Sequence, residues 1–148
     1  MDIEKIQETL KLEAPLQSRL ETGLTQLTRF LDAERGCMMV TREGNELILF
    51  AGDEDLNLKF PFSRSMVGEA MVGSTGLVSF QGEQQDNDTL SSMALHGVRA
   101  ALCAPILGPG QEDFGIMYFD TRIENKLFTD LQLESVMAIA RAIGSLLV

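Results

Sequence analysis

The sequence predicts an α+β domain in which helices cover a mostly antiparallel sheet. Three observations lead there. Leucines recur at intervals of four and three near the N-terminus, as on one face of a helix. Two pairs of β-rich runs are each joined by a short turn. A capping-box sequence opens an apolar stripe at the C-terminus. The 148 residues suit one domain of ordinary size, long enough to bury a core without disulfides or a metal. Hydrophobic residues are 45% and charged residues 23% of the chain, which excludes global disorder.

In chain order, Ile3, Ile6 and Leu10 share a helical face within residues 3–12. Pro15 interrupts and fits the first turn of a second helix. Leu16, Leu20, Leu24, Leu27 and Leu31 then define an amphipathic helix to about Asp32. Strands are expected over Cys37 to Thr41 and Glu46 to Ala51, flanking a hairpin turn at Arg42-Glu43-Gly44-Asn45. Leu56, Leu58, Phe60 and Phe62 alternate, but Pro61 confines that stretch to an edge or loop.

Ser63 or Ser65 caps a short helix carrying Met66, Val67, Ala70 and Met71, which Gly73 ends. Gly76 to Phe80 is a short strand. After the polar loop Gln81 to Asn87, Asp88 starts a helical turn that Gly97 closes. Val98 to Leu107 and Phe114 to Thr121 are long strands joined at 108–113. Thr129 and Gln132 have capping-box spacing, and Phe128 is placed to staple onto Leu133. The final stripe is Leu133, Met137, Ala140, Ile143 and Leu147. It meets no Gly, Pro or polar stop before Val148, which suggests a piece of a longer protein.

Composition narrows the function. Twelve basic against 22 acidic side chains give a net charge of −10, which argues against a nucleic-acid or anionic-membrane partner. No apolar run reaches the roughly 18–20 residues of a membrane span, and MDIEKIQETL lacks a secretory core, so a cytoplasmic location is expected. Cys37 and Cys103 lie in apolar runs without metal-ligand spacing. They are read as small buried hydrophobes, with a redox or cofactor-attachment cysteine as the alternative.

Catalytic patterns are thin. His96 is the sole histidine, beside Gly97, where a helix-end or surface role is common. No Ser stands in a Gly-x-Ser-x-Gly elbow. Gly108-Pro109-Gly110 lacks the Lys-Ser/Thr of a phosphate loop and joins two strands. Glu83, Asp86 and Asp88 lack the spacing of a calcium loop and read as a solvated turn.

The residues resemble the GAF domain family. Ala104-Pro105-Ile106 matches a strand ending in a Pro-aliphatic pair. Gly115-Ile116-Met117-Tyr118 matches Gly-aliphatic-x-aromatic. Phe128 to Leu133 matches the Phe-Thr-x-x-x-Leu that opens the last helix. Upstream, LTQLTRFLDAERGCMMVTREGNELILFAG and FSRSMVGEAMVGSTGLVSF fit the first helix, the hairpin and the pocket-side helix in order. Each motif alone is weak; their order over Pro15 to Val148 carries the resemblance. It divides the chain into an N-terminal linker or helix, 1–14, and a GAF domain, 15–148.

The resemblance implies a GAF-like, profilin-like antiparallel sheet. Terminal helices cover one face, and mid-chain helices roof a pocket on the other. It implies a bacterial-type regulatory module that senses a small molecule and signals through its terminal helices to a C-terminal output domain: a kinase, a cyclase or a transcription activator. Under that geometry Phe62, Met66, Phe80, Met93, His96 and Arg99 are the candidate pocket residues. Met and aromatic side chains make adaptable walls, and Arg99 is suited to an anionic group.

No cofactor is indicated. Asn125, Lys126 and Phe128 echo the cyclic-nucleotide-binding pattern, but Gln132-Leu133 stands where those members have Asp-Glu. Neither cysteine matches the bilin-attachment motifs. Only one cysteine lies in the pocket half, where the methionine sulfoxide reductase branch has three. Two alternatives to a non-enzymatic sensor remain: a ligand-free homodimerisation module using the terminal-helix stripes, and, as the weakest, a thiol-dependent reductase.

Overall fold

The computed structural model describes residues 3–52, 77–80, 99–123 and 127–148. Three helices are described, α1 (Ile3–Leu10), α2 (Leu16–Phe30) and α3 (Asp130–Leu146). The strands are β1 (Arg35–Arg42), β2 (Asn45–Gly52), β3 (Leu77–Phe80), β4 (Ala100–Leu107) and β5 (Asp113–Thr121). The expected segments 56–62, 63–73 and 81–97 lie outside the described residues, and of the expected strand 76–80 the backbone of 77–80 is described as β3.

The helices begin and end for local reasons. Pro15 is the residue that precedes α2, not its first turn. Its ψ of 139° keeps it extended, and Leu16 is the first helical residue. Arg19 Nη1 donates to the Leu10 carbonyl at 2.9 Å, which satisfies one of the orphan acceptors at the end of α1. The capping box of α3 is complete. The Gln132 amide donates to Thr129 Oγ1 at 3.1 Å, and the Thr129 amide donates to Gln132 Oε1 at 2.9 Å. Phe128 is buried in the same core as Leu133, as the staple requires.

The sheet has the order β2-β1-β5-β4-β3 and every neighbouring pair is antiparallel. Glu43 and Gly44 turn β1 into β2 with φ of 53° and 80°, the pair of positive values that a two-residue hairpin needs. The β4–β5 connection folds on itself: the Gly108 amide donates to the Glu112 carbonyl and the Gln111 amide to the Gly108 carbonyl, both at 2.9 Å. A register shift at Ile106/Leu107 leaves Phe114 as an extra residue on β5. Gly115 follows it at φ 145°, and a Cβ there would overlap the Met39 carbonyl. Pro105 stands opposite Ile116 in the β4–β5 register, outside the stretch Ala100–Cys103 that faces β3.

The helices α2 and α3 pack on one face of the sheet, and α1 packs against both of them. The core joins Ile6 and Leu10 of α1, Leu20, Leu24 and Leu27 of α2, and Val136, Ile139 and Ile143 of α3. The sheet contributes Met38, Val40, Leu102, Ala104, Met117 and Phe119. Thus α1 is part of the packed body. Leu20, Leu24, Leu27 and Leu31 of the leucine stripe are buried within the chain, and Leu16 is half-buried. Gly144 lets α3 approach β4 closely, since a Cβ there would meet the Leu107 carbonyl.

Candidate functional site

Side chains alternate across a strand, so the residues between the core positions point to the opposite, outer face. Antiparallel register places them in rows. Phe50, Cys37, Tyr118 and Cys103 form one row, with Leu77 opposite Cys103 in the backbone register. Arg35, Asp120 and Ala101 form the next, with Ser79 opposite Ala101. Met39, Ile116 and Pro105 form a third. None of the β1, β2, β4 and β5 side chains in these rows belongs to the core shared with the helices.

The outer face is unusual in what it buries. Arg35 Nε and Nη2 donate to Asp120 Oδ1 and Oδ2 at 2.6 and 2.7 Å, a bidentate pair whose side chains are 2% and 1% exposed. Next to it Cys37, Cys103 and Tyr118 are also buried. Burial pushes the Cys37 thiol from 9.0 up to about 12; the Arg35 guanidinium opposes that rise and Asp120 adds to it. Burial also raises Cys103, helped by Cys37. Both thiols therefore stay protonated near neutral pH and are poor nucleophiles.

The expected pocket residues are only partly within view. Phe62, Met66, Met93 and His96 lie outside the described residues. The backbone of Phe80 ends β3 opposite Ala100. Arg99 is exposed, one residue before β4, and its amide donates to the Thr121 carbonyl at 2.8 Å. The structure therefore brings Phe80 and Arg99 to the same end of the β3–β4 ladder.

Arg35 and Asp120 stand in no motif of the sequence, and Tyr118 appears there only as the aromatic of a strand pattern. A signal existed: Arg35 is in phase with Cys37 and Met39, and Asp120 with Tyr118 and Ile116, so opposite charges sit at the ends of two apolar strands. Only the pairing of β1 with β5, which spans 85 positions of sequence, shows that they meet. Among the described residues no group of three His, Cys, Asp or Glu side chains is placed to hold a metal ion. No helix among them is long and apolar enough to cross a membrane.

Comparison with solved structures agrees with this architecture. The phycocyanobilin-bound GAF domain of a cyanobacterial phytochrome superposes with a TM-score of 0.74 at 14% identity, over 97% of this chain and 92% of that one. The GAF domain of a phosphoenolpyruvate-protein phosphotransferase from Coxiella burnetii gives 0.71 at 14% identity, over 97% and 88%. The A. aeolicus nlh2 GAF domain in an inactive state gives 0.64 at 21% identity, over 96% and 90%. At such identities the likeness shows the fold. None of the curated proteins compared matches the chain. The family model described as "GAF domain" matches residues 15–147, nearly the whole length, and the chain belongs to the GAF domain family.

Proposed function

We propose that this domain is a non-enzymatic, cytoplasmic regulatory module that senses a small molecule on the outer face of its sheet. Residues 15–148 form the sensing domain and 1–14 an N-terminal linker or helix that contains α1. Ligand state would pass through the terminal helices to an output domain, by differential affinity for two packings. The observation that carries this reading is the division of labour between the two sheet faces. One face is filled by helices, while the other buries an ion pair, two thiols and a tyrosine. Polar groups of this kind fix orientation and specificity in ligand sites. The phytochrome neighbour, whose GAF domain is bilin-bound, supports the use of this fold for a small molecule.

A non-enzymatic role is supported by the thiols. Cys37 and Cys103 flank Tyr118 from β1 and β4, two strand spacings apart, which is roughly 10 Å between Cα atoms. A disulfide needs less than about 7 Å, so a thiol relay between them has no route. A homodimer would draw on the outer positions around the start of α3, where Leu127 and Leu131 are 62% and 72% exposed, because the α2 stripe from Leu20 onward is already buried.

The test is mass spectrometry of the purified chain under native and denaturing conditions. A small-molecule mass retained only in the native spectrum is expected, and Ala101→Trp, which fills the outer face, should abolish it. Equal masses under both conditions, together with no thermal shift in a metabolite screen, would refute the sensory reading.

A further inference from the structure

Residues 34 and 35 are bonded to residues 120–122 on both faces of the sheet at once. On the outer face Arg35 holds Asp120 through two hydrogen bonds. On the helix face Glu34 Oε1 accepts from the Arg122 amide and, at 3.3 Å, from Thr121 Oγ1. Between them the Glu34 amide donates to the Asp120 carbonyl at 3.1 Å. This junction lies where the helix layer is joined to the sheet. Just before it α2 ends, with the Ala33 amide donating to the Thr28 carbonyl at 3.0 Å and Asp32 in the left-handed region at φ 52°. Just after it the chain leaves β5 for α3, whose N-cap is Thr129.

We propose that Glu34-Arg35 and Asp120-Thr121-Arg122 form a two-sided latch. In it, the outer Arg35–Asp120 pair sets how firmly the end of α2 and the exit from β5 are held to the sheet. Two physical arguments support it. Glu34 and Arg35 are joined by one planar peptide unit, so a displacement of either backbone is passed directly to the other. A buried ion pair contributes little net stability over an apolar pair of similar size, since desolvation offsets the attraction. What the pair does supply is a fixed geometry. An occupant of the outer face that drew either partner away would loosen both helix connections. That use rests on the sensory reading above, whereas the latch itself does not require a ligand.

The experiment is amide hydrogen exchange by NMR on the ligand-free chain, so its outcome is separate from that of the ligand search. In the double variant Arg35→Met/Asp120→Leu, the Ala33 and Arg122 amides should exchange at least about tenfold faster, with Phe119 and Leu102 in the strand interiors unchanged. Coupling must also be reciprocal. Glu34→Ala, made on the helix face, should speed exchange of the Arg35 Nε–H on the outer face by a similar factor. The latch is overturned if Ala33 and Arg122 keep wild-type protection in the double variant, or lose it only in step with Phe119. It is equally overturned if Glu34→Ala leaves the Arg35 Nε–H unaffected. Should the double variant fail to fold, the Glu34→Ala arm decides alone.

Discussion

Arg35 and Asp120 face each other in register on β1 and β5, and their guanidinium and carboxylate meet edge to edge with almost no exposure to solvent. Removing one partner leaves the other as a buried, uncompensated charge. Asp120→Ala is therefore expected to cost about 3–5 kcal/mol, read as a lowered urea midpoint. Arg35→Met/Asp120→Leu should recover most of that loss, because neither charge is then stranded. A double variant as unstable as the single would show that the pair's net attraction, rather than the orphaned charge, is what matters.

The two thiols give a pH signature. Below about pH 9 each is protonated in both the folded and the unfolded chain and contributes no pH dependence. Above it the unfolded thiol ionises while the buried one does not, since burial raises Cys37 to about 12 and raises Cys103 as well. Their contribution to stability is thus lost as pH rises from about 9 towards 12. Urea titrations at about pH 8 and pH 10 should show a smaller drop for Cys37→Ala/Cys103→Ala than for the wild-type chain. Iodoacetamide at pH 8 should modify neither cysteine until denaturant is added.

Gly115 is held by both its backbone and its surroundings. Its φ of 145° disfavours any L side chain, and a Cβ would overlap the Met39 carbonyl on β1. Gly115→Ala should cost at least about 1–3 kcal/mol. Loss of protection at the β1–β5 amides near Val40 should accompany it. A thermal midpoint equal to that of the wild-type chain would contradict this account.

At the start of α3, Thr129→Ala removes the acceptor for the Gln132 amide and one half of the capping box. The expected loss is about 1 kcal/mol. Thr129→Ser should retain most of the stability, since it keeps the hydroxyl. Helical content of α3 by circular dichroism should fall little, because its packing on β4 does not depend on the cap.

The elements that sequence alone made legible are those whose signal is local. The α3 capping box, the Glu43-Gly44 turn and the leucine spacing of α2 each involve residues within a few positions of one another, and all stand in the structure as expected. Boundaries moved by one or two residues: β1 begins at Arg35 rather than Cys37, because pairing with β5 extends it. Hydrophobic period marked the buried side of α3 only in part: Ala140, Ile143 and Leu147 are buried as expected, while Leu133 and Met137 are half-buried and Val136 and Ile139 complete the core.

The candidate site fared differently. Of the residues expected around it, Phe80 and Arg99 are within the described segments. Of the most distinctive groups on the outer face, Arg35 and Asp120 gave no local motif, and Tyr118 entered only as the aromatic of the Gly115-Ile116-Met117-Tyr118 strand pattern. Composition, periodicity and caps determined an acidic α+β domain with a helix at each end and two hairpins. The tertiary structure decided that β1 lies against β5. This contact aligns Cys37, Tyr118 and Cys103 in one row and closes the Arg35–Asp120 pair beside it. The reason is physical. A turn or a cap is specified by neighbours along the chain, whereas a strand pairing is chosen by which apolar faces bury each other, and that depends on the whole sheet at once.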